Sequence, residues 1–269
     1  MKTDGETDRK NISEGIAFFE GLSDSIFDNG MIETVFFPGN VGSVIFSAIA
    51  NRLKTVNFAV SNGFISDAYV LMRMIYEDIF TFIYLQVRMG DGRGDDGIRQ
   101  WIRGKKKLHS LNVKQLLSFL TSNNGDIKTC FDLLDVSGKY VAIKSYCNDY
   151  VHNNRLSNLI LNTGCVTDGK AHYERLSEYL EALKCLLFSA ICILKPYYAS
   201  SSDYMDHAEL GLSPPDGCQY WVAPFMQEEF DRLYRSNKEL AEVIVSSSYM
   251  EFKFPADDEV TESLHAPDR

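Results

Sequence analysis

Arg73 and Glu77 lie four residues apart in the run Leu71-Met72-Arg73-Met74-Ile75-Tyr76-Glu77. On a helix that spacing puts both side chains on one face. Their neighbours are mostly apolar, and a buried charge is costly unless it is paired and hydrogen-bonded. The two should therefore find each other or a third polar group. A second polar group falls in Tyr146-Cys147-Asn148-Asp149-Tyr150-Val151-His152-Asn153-Asn154-Arg155. Asn148 and His152 are again four apart. Asp149 and His152 are three apart, which offers a carboxylate to orient the imidazole. Histidine is the natural general acid or base near neutral pH. Plainer readings stand beside these: a buried ion pair that ties helices together, and a helix end that stops at a loop.

A third group is the basic stretch. Residues 88–114 hold eight Lys/Arg against three Asp, in a chain whose net charge is −10. Arg99, Arg103, Lys105, Lys106 and Lys107 surround Trp101. Cations beside an aromatic ring suit a phosphate backbone and a stacked base. A solvated charged face is the competing reading.

Other chemistry finds little footing. The six cysteines form no C-x-x-C pair, and no Cys/His set has zinc spacing. They read as reduced, structural thiols. His172, His207 and His265 are scattered, and His109 belongs to the basic stretch. Residues 90–97 are glycine-rich but lack the Lys-Ser/Thr of a phosphate loop, and no G-x-S-x-G elbow is present. No metal and no cofactor are expected.

The elements that must hold these residues read as helices. Seven prolines in 269 residues leave long uninterrupted stretches. The first ten residues look loosely attached, with Asn11 or Ser13 capping a helix that carries Phe18, Phe19, Leu22, Ile26 and Phe27. A helix over 41–58 carries Val44, Ile45, Ala48, Ile49 and Leu53, and Ser61-Asn62-Gly63 ends it. The clearest helix spans 65–88, apolar around almost its whole circumference, and so is expected at the centre. A loop over 90–97 and a short helix from Ser110 to about 120 follow. Ser137 opens a helix running to about 153. Residues 154–169 read as a loop, and 170–194 as a long helix stopped by Pro196. Residues 197–224 look irregular, 226–246 read as one amphipathic helix, and the last fifteen as a disordered acidic tail. Strand signals are weak, the best being 249–254.

Composition agrees with a globular chain: 45% hydrophobic and 24% charged residues. The acidic balance argues against non-specific nucleic-acid binding over the whole surface. No signal-like N-terminus and no span-length apolar run is seen, so a cytoplasmic location without membrane contact is expected.

Together, the Arg73/Glu77 pair and the Asn148–His152 segment resemble the HEPN superfamily of helical-bundle proteins, including bacterial toxin–antitoxin and phage-defence members. The resemblance covers roughly residues 40–195. That family carries an Arg-x(4–6)-His motif on a late helix and a polar residue on an earlier one. Here Asn148 and His152 match the late motif, Cys147 stands where its shortest form places Arg, and Arg73 or Glu77 matches the earlier position. Lys144, eight residues before His152, is about two turns away and a poor substitute for that Arg. The resemblance implies a metal-independent endoribonuclease or toxin-like effector. His152 would be the acid/base, Asn148 would position phosphate or His152, and Asp149 would set the imidazole tautomer. Arg73, held by Glu77, would steady phosphate charge, with RNA held along Arg99, Trp101, Arg103, Lys105, Lys106 and Lys107. It also implies a homodimer.

The expectation is thus an all-α bundle of six to eight helices over residues 1–196, with 197–269 as a C-terminal extension of one helix and an acidic tail. The alternative function is a non-catalytic interaction module that binds a nucleotide, or a partner protein through the extension, where Trp221 and Phe225 sit beside prolines.

Overall fold

The computed structural model describes residues 4–24, 41–90, 100–101, 103–105, 118–119, 121–122, 124–152, 154–163 and 169–255. The protein is all-α. Among the described residues there are ten α-helices, short π- and 3-10-helical turns, and an isolated bridge between Ser200 and Val222. No described helix is long and apolar enough to cross a membrane. The chain divides into two compact units, Met1–Leu187 and Phe188–Arg269.

In the first unit, α1 (Asp4–Ser23) packs on α2 (Val41–Ser61), and α2 packs on α3 (Ile65–Gly90). α1 is helical from Asp4 onward. Asn11 lies inside α1 instead of capping it, and its Nδ2 donates to Ser177 Oγ at 2.9 Å. Gly15 permits a close approach: a Cβ there would lie 2.7 Å from Leu180 Cδ2. The buried face of α2 is Ile45, Phe46, Ile49, Ala50, Leu53 and Val56, while Val44 is exposed. That places the apolar stripe further round the helix than the expected one. α3 is the core element. Tyr69, Met72, Ile75, Tyr76, Ile79, Phe80, Phe82, Ile83 and Leu85 are all buried, and Asp67, Met74 and Glu77 mark its narrow outward line.

α4 (Gly125–Leu133) is capped by Asn124, whose side chain accepts from the Ile127 N–H. Asp135, in a left-handed conformation with φ 49°, then accepts from the Gly138 and Lys139 N–H groups. This starts a π-helical turn, Val136–Tyr140, that leads into α5 (Val141–Val151). The start comes from Asp135 instead of Ser137, because the Asp135 carboxylate, two residues earlier, satisfies the free Gly138 and Lys139 N–H groups. α5 packs against α3.

Residues 154–169 contain a short helix, α6 (Leu156–Ile160), where a loop was expected. Its pattern is inverted: Asn158 is buried, and Leu156, Leu159 and Ile160 are exposed. Polar bonds hold it. Asn158 Nδ2 donates to the Asp149 carbonyl at 2.7 Å, Ser66 Oγ donates to the Asn158 carbonyl, and the Ile65 N–H donates to the Leu161 carbonyl. α7 (Gly169–Leu194) matches its expected span. Within the first unit, Tyr140 Oη donates to the Ala182 carbonyl at 2.6 Å.

The second unit takes in the end of α7, a 3-10 turn Pro196–Ala199, α8 (Asp203–Glu209), a 3-10 turn Cys218–Tyr220, α9 (Pro224–Ser236) and α10 (Lys238–Ser247). The single helix expected over 226–246 is two helices. Asn237 breaks it, and its side chain caps α10 by accepting from the Leu240 N–H at 3.1 Å. Phe230 stacks on Phe252 at 4.9 Å between ring centroids. The segment expected as a strand, 249–254, is non-helical but joins no ladder. It is tied by the Glu251 N–H to the Tyr220 carbonyl and by two bonds between Gln227 and the Lys253 backbone. Gly90 of the expected 90–97 loop ends α3, residues 118–119 of the expected Ser110 helix are helical, and the rest of both segments and the tail beyond residue 255 lie outside the described residues.

Candidate functional site

Arg73 sits on α3 with 9% of its surface exposed. Its Nη2 pairs with Glu77 Oε1 at 2.7 Å, the contact expected from their spacing. Its Nε donates to Asn148 Oδ1 on α5 at 2.9 Å. The guanidinium carbon lies 5.4 Å from the Tyr76 ring centroid. Nη1 is shut away from solvent with no hydrogen-bond partner, as is the Tyr76 hydroxyl. Glu77, by contrast, has 55% of its side chain in solvent.

The Arg73 bond fixes Asn148. A guanidinium N–H can only donate, so Asn148 must present its oxygen, and its NH₂ is left without a partner among the described residues. One turn earlier on α5, Lys144 is half-buried and has no hydrogen bond or ion pair among the described residues. Burial lowers its pKa first, and the nearby Arg73 charge adds to that, with Glu77 acting in the opposite direction. Cys147 is fully buried between these positions. Burial pushes its thiol up to about 12, against the pull of Arg73. It is a neutral, inert group at the position where the resembled motif carries Arg.

His152 and Asp149 do not join this group. α5 ends at Val151, and His152 is its exposed cap residue, with φ −100° and ψ 4°. Its backbone N–H bonds the Asn148 carbonyl, and its imidazole has no partner among the described residues. Asp149 Oδ1 accepts from Asn154 Nδ2 at 3.1 Å, and Oδ2 faces Arg155 at 3.7 Å. The carboxylate is therefore committed to the following turn and not to the imidazole. Of the five residues expected as a catalytic set, side-chain contacts unite Arg73, Glu77 and Asn148.

The basic stretch is described only in part. Trp101 is half-buried, and Arg103 and Lys105 are exposed in a turn where Gly104 has φ +66°. Arg99, Lys106 and Lys107 lie outside the described residues.

One cluster escaped the reading of the sequence. Tyr69 on α3, Tyr146 and Tyr150 on α5, and His172, Arg175 and Tyr179 on α7 form a continuous array. Tyr69 stacks on Tyr150 at 4.3 Å and bonds His172 Nδ1 at 3.0 Å. Arg175 covers the Tyr146 ring at 4.8 Å and donates to its hydroxyl, which bonds the Tyr150 hydroxyl at 3.0 Å. Burial raises the Tyr69 and Tyr150 phenols, and pushes Tyr179 up to about 12 with help from the neighbouring Cys147 and Tyr146. The available signal was spacing: 146 and 150 share a face, as do 172, 175 and 179.

Chemically, the Arg73 group is a set of donors short of acceptors, which suits an oxyanion and not a cation. Among the described residues no three His, Cys, Asp or Glu side chains gather to hold a metal ion. No family model, curated protein or solved structure matches the chain.

Proposed function

We propose that the first unit binds a phosphate-bearing ligand of the nucleotide class and acts as a binding module, not a nuclease. One observation carries this reading. Arg73 Nη1 is buried without an acceptor, Arg73 Nε takes up the Asn148 oxygen so that the NH₂ is left over, and Lys144, one turn from Asn148 on α5, feels the Arg73 charge. An unpartnered buried donor costs about 1–3 kcal/mol. A phosphate satisfies several at once through charge-assisted bonds, and the guanidinium fork matches its geometry. The acceptor already present, Glu77, has 55% of its side chain in solvent, so an incoming anion can compete with it for Arg73. A ligand phosphate takes its place on Arg73. Tyr179, half-buried and beside Cys147, supplies ring surface for a base. A divergent HEPN-like bundle whose motif Arg has become Cys147 fits a role in binding without catalysis. Calorimetric titration with nucleoside mono-, di- and triphosphates in EDTA tests it, and silence across that panel would count against it.

A second reading has one observation in its favour. His152 is exposed and unengaged, one turn beyond Asn148, which leaves it accessible as an acid or base. On that reading the protein is the metal-independent endoribonuclease that the resemblance implies. Cleavage of bacterial RNA in EDTA by wild type but not by His152→Ala supports it. No cleavage by either folded protein favours the binding module.

A further inference from the structure

The second unit carries a face that its own core does not explain. α8 buries none of its residues. It is nonetheless well fixed. Ser202 Oγ donates to Asp206 at 2.8 Å, His207 Nδ1 lies 2.7 Å from the Asp203 carbonyl, and the Leu212 N–H closes back on the His207 carbonyl at 2.9 Å. α8 also packs against the Cys218–Tyr220 turn. Held in this way, Leu210 is 75% exposed, Leu212 56%, Tyr220 40%, Trp221 37% and Tyr249 56%. The Tyr220 and Tyr249 rings lie 6.1 Å apart, and the Glu251 N–H bonds the Tyr220 carbonyl. An ordered cluster of this kind with a polar rim marks an interaction surface.

The rim identifies the partner. From Pro196 to Asp231 the chain has no Lys or Arg, while Lys195 and Lys253 flank the face on the Tyr197 and Glu251 sides. Glu209, Asp216 and Glu251 are exposed, and none has an ion pair among the described residues. Acidic groups around aromatic and aliphatic side chains are complementary to a segment that carries arginines between apolar residues. Guanidinium groups stack on Tyr and Trp faces and pair with carboxylates, while leucine-like side chains cover Leu210 and Leu212. We propose that this face docks a basic, arginine-bearing segment of a partner protein. The proposal is independent of the Arg73 site.

The sequence contains two tryptophans, so Trp101→Phe leaves Trp221 as the single emitter in the full chain. The probe is a synthetic peptide alternating Arg and Leu, with an alternating Glu and Leu peptide as its counterpart. The expected result is a saturable shift in Trp221 emission with the Arg peptide alone. That affinity should fall tenfold or more in Leu210→Ser/Leu212→Ser and in Glu209→Lys/Asp216→Lys. All four positions are exposed, and the melting temperatures of both variants are checked against wild type. Three results overturn the proposal: no shift, equal binding of the Glu peptide, or Arg-peptide binding that neither double variant weakens. Sedimentation supplies a fourth: a dimer that Leu210→Ser/Leu212→Ser turns into a monomer assigns the face to a second copy of this chain.

Discussion

Arg73 Nε donates to Asn148 Oδ1 at 2.9 Å, joining residues 75 positions apart and tying α3 to α5. The bond uses the one Asn148 atom that can accept from Arg73 and turns its NH₂ toward other partners. Asn148→Ala removes the acceptor from a nearly buried guanidinium and is expected to cost about 1–3 kcal/mol in chemical denaturation. Asn148→Asp keeps the acceptor. It should hold most of that stability yet lose the phosphate ligand, because a carboxylate replaces a donor. Loss of ligand and stability together in Asn148→Asp would argue that the bond is structural only.

Glu77 competes with the ligand for Arg73. Glu77→Gln should therefore tighten nucleotide binding several-fold in calorimetry, and it should lower stability measurably because the largely buried Arg73 loses its carboxylate. Weaker binding in this variant would mean that Glu77 positions Arg73 for the ligand and does not block it.

Binding should also depend on pH through Lys144. Burial and Arg73 lower its pKa from the ordinary 10.5, and a bound anion favours its charged form. Affinity should then fall as pH rises through this lowered pKa. Affinities measured at pH 8 and pH 10 test this. Lys144→Ala should flatten the dependence.

Folding stability has its own alkaline limit. Cys147, Tyr150 and Tyr179 hold their protons more tightly in the folded protein than the ordinary values of 9.0 for the thiol and 10.0 for the phenols. Above those values the unfolded chain binds fewer protons, so stability is fully present below about pH 9 and declines as pH climbs toward 12. Denaturation midpoints between pH 8 and pH 11 should show the decline. Cys147→Ser and Tyr179→Phe should each remove part of it.

The helices were legible where one local signal sufficed. The run over 65–88 has no proline and is apolar around most of its circumference, and the Arg73–Glu77 pair follows from helical spacing alone. The Asp149–His152 contact failed because the same spacing rule stops applying when the helix does: α5 ends at Val151, and Asp149 turns to Asn154 and Arg155. α6 was missed because its polar residue is inside and its apolar residues are outside, the reverse of the pattern that identifies a helix. The break at Asn237 was present in the sequence as an N-cap residue within an otherwise continuous apolar period. Lys144 was set aside for its distance from His152, but it belongs with Asn148, one turn away. No sequence rule links Asn148 to Arg73, because that contact is made by the packing of α5 on α3.

The most direct measurement is titration of nucleoside triphosphate, in EDTA, into wild type, Lys144→Ala and Lys144→Arg. Lys144 is half-buried and unpaired among the described residues, so its removal should leave the fold intact. The account predicts one-to-one binding by wild type, at least tenfold weaker binding by Lys144→Ala and recovery in Lys144→Arg. No binding by wild type, or equal affinity in Lys144→Ala, would contradict it.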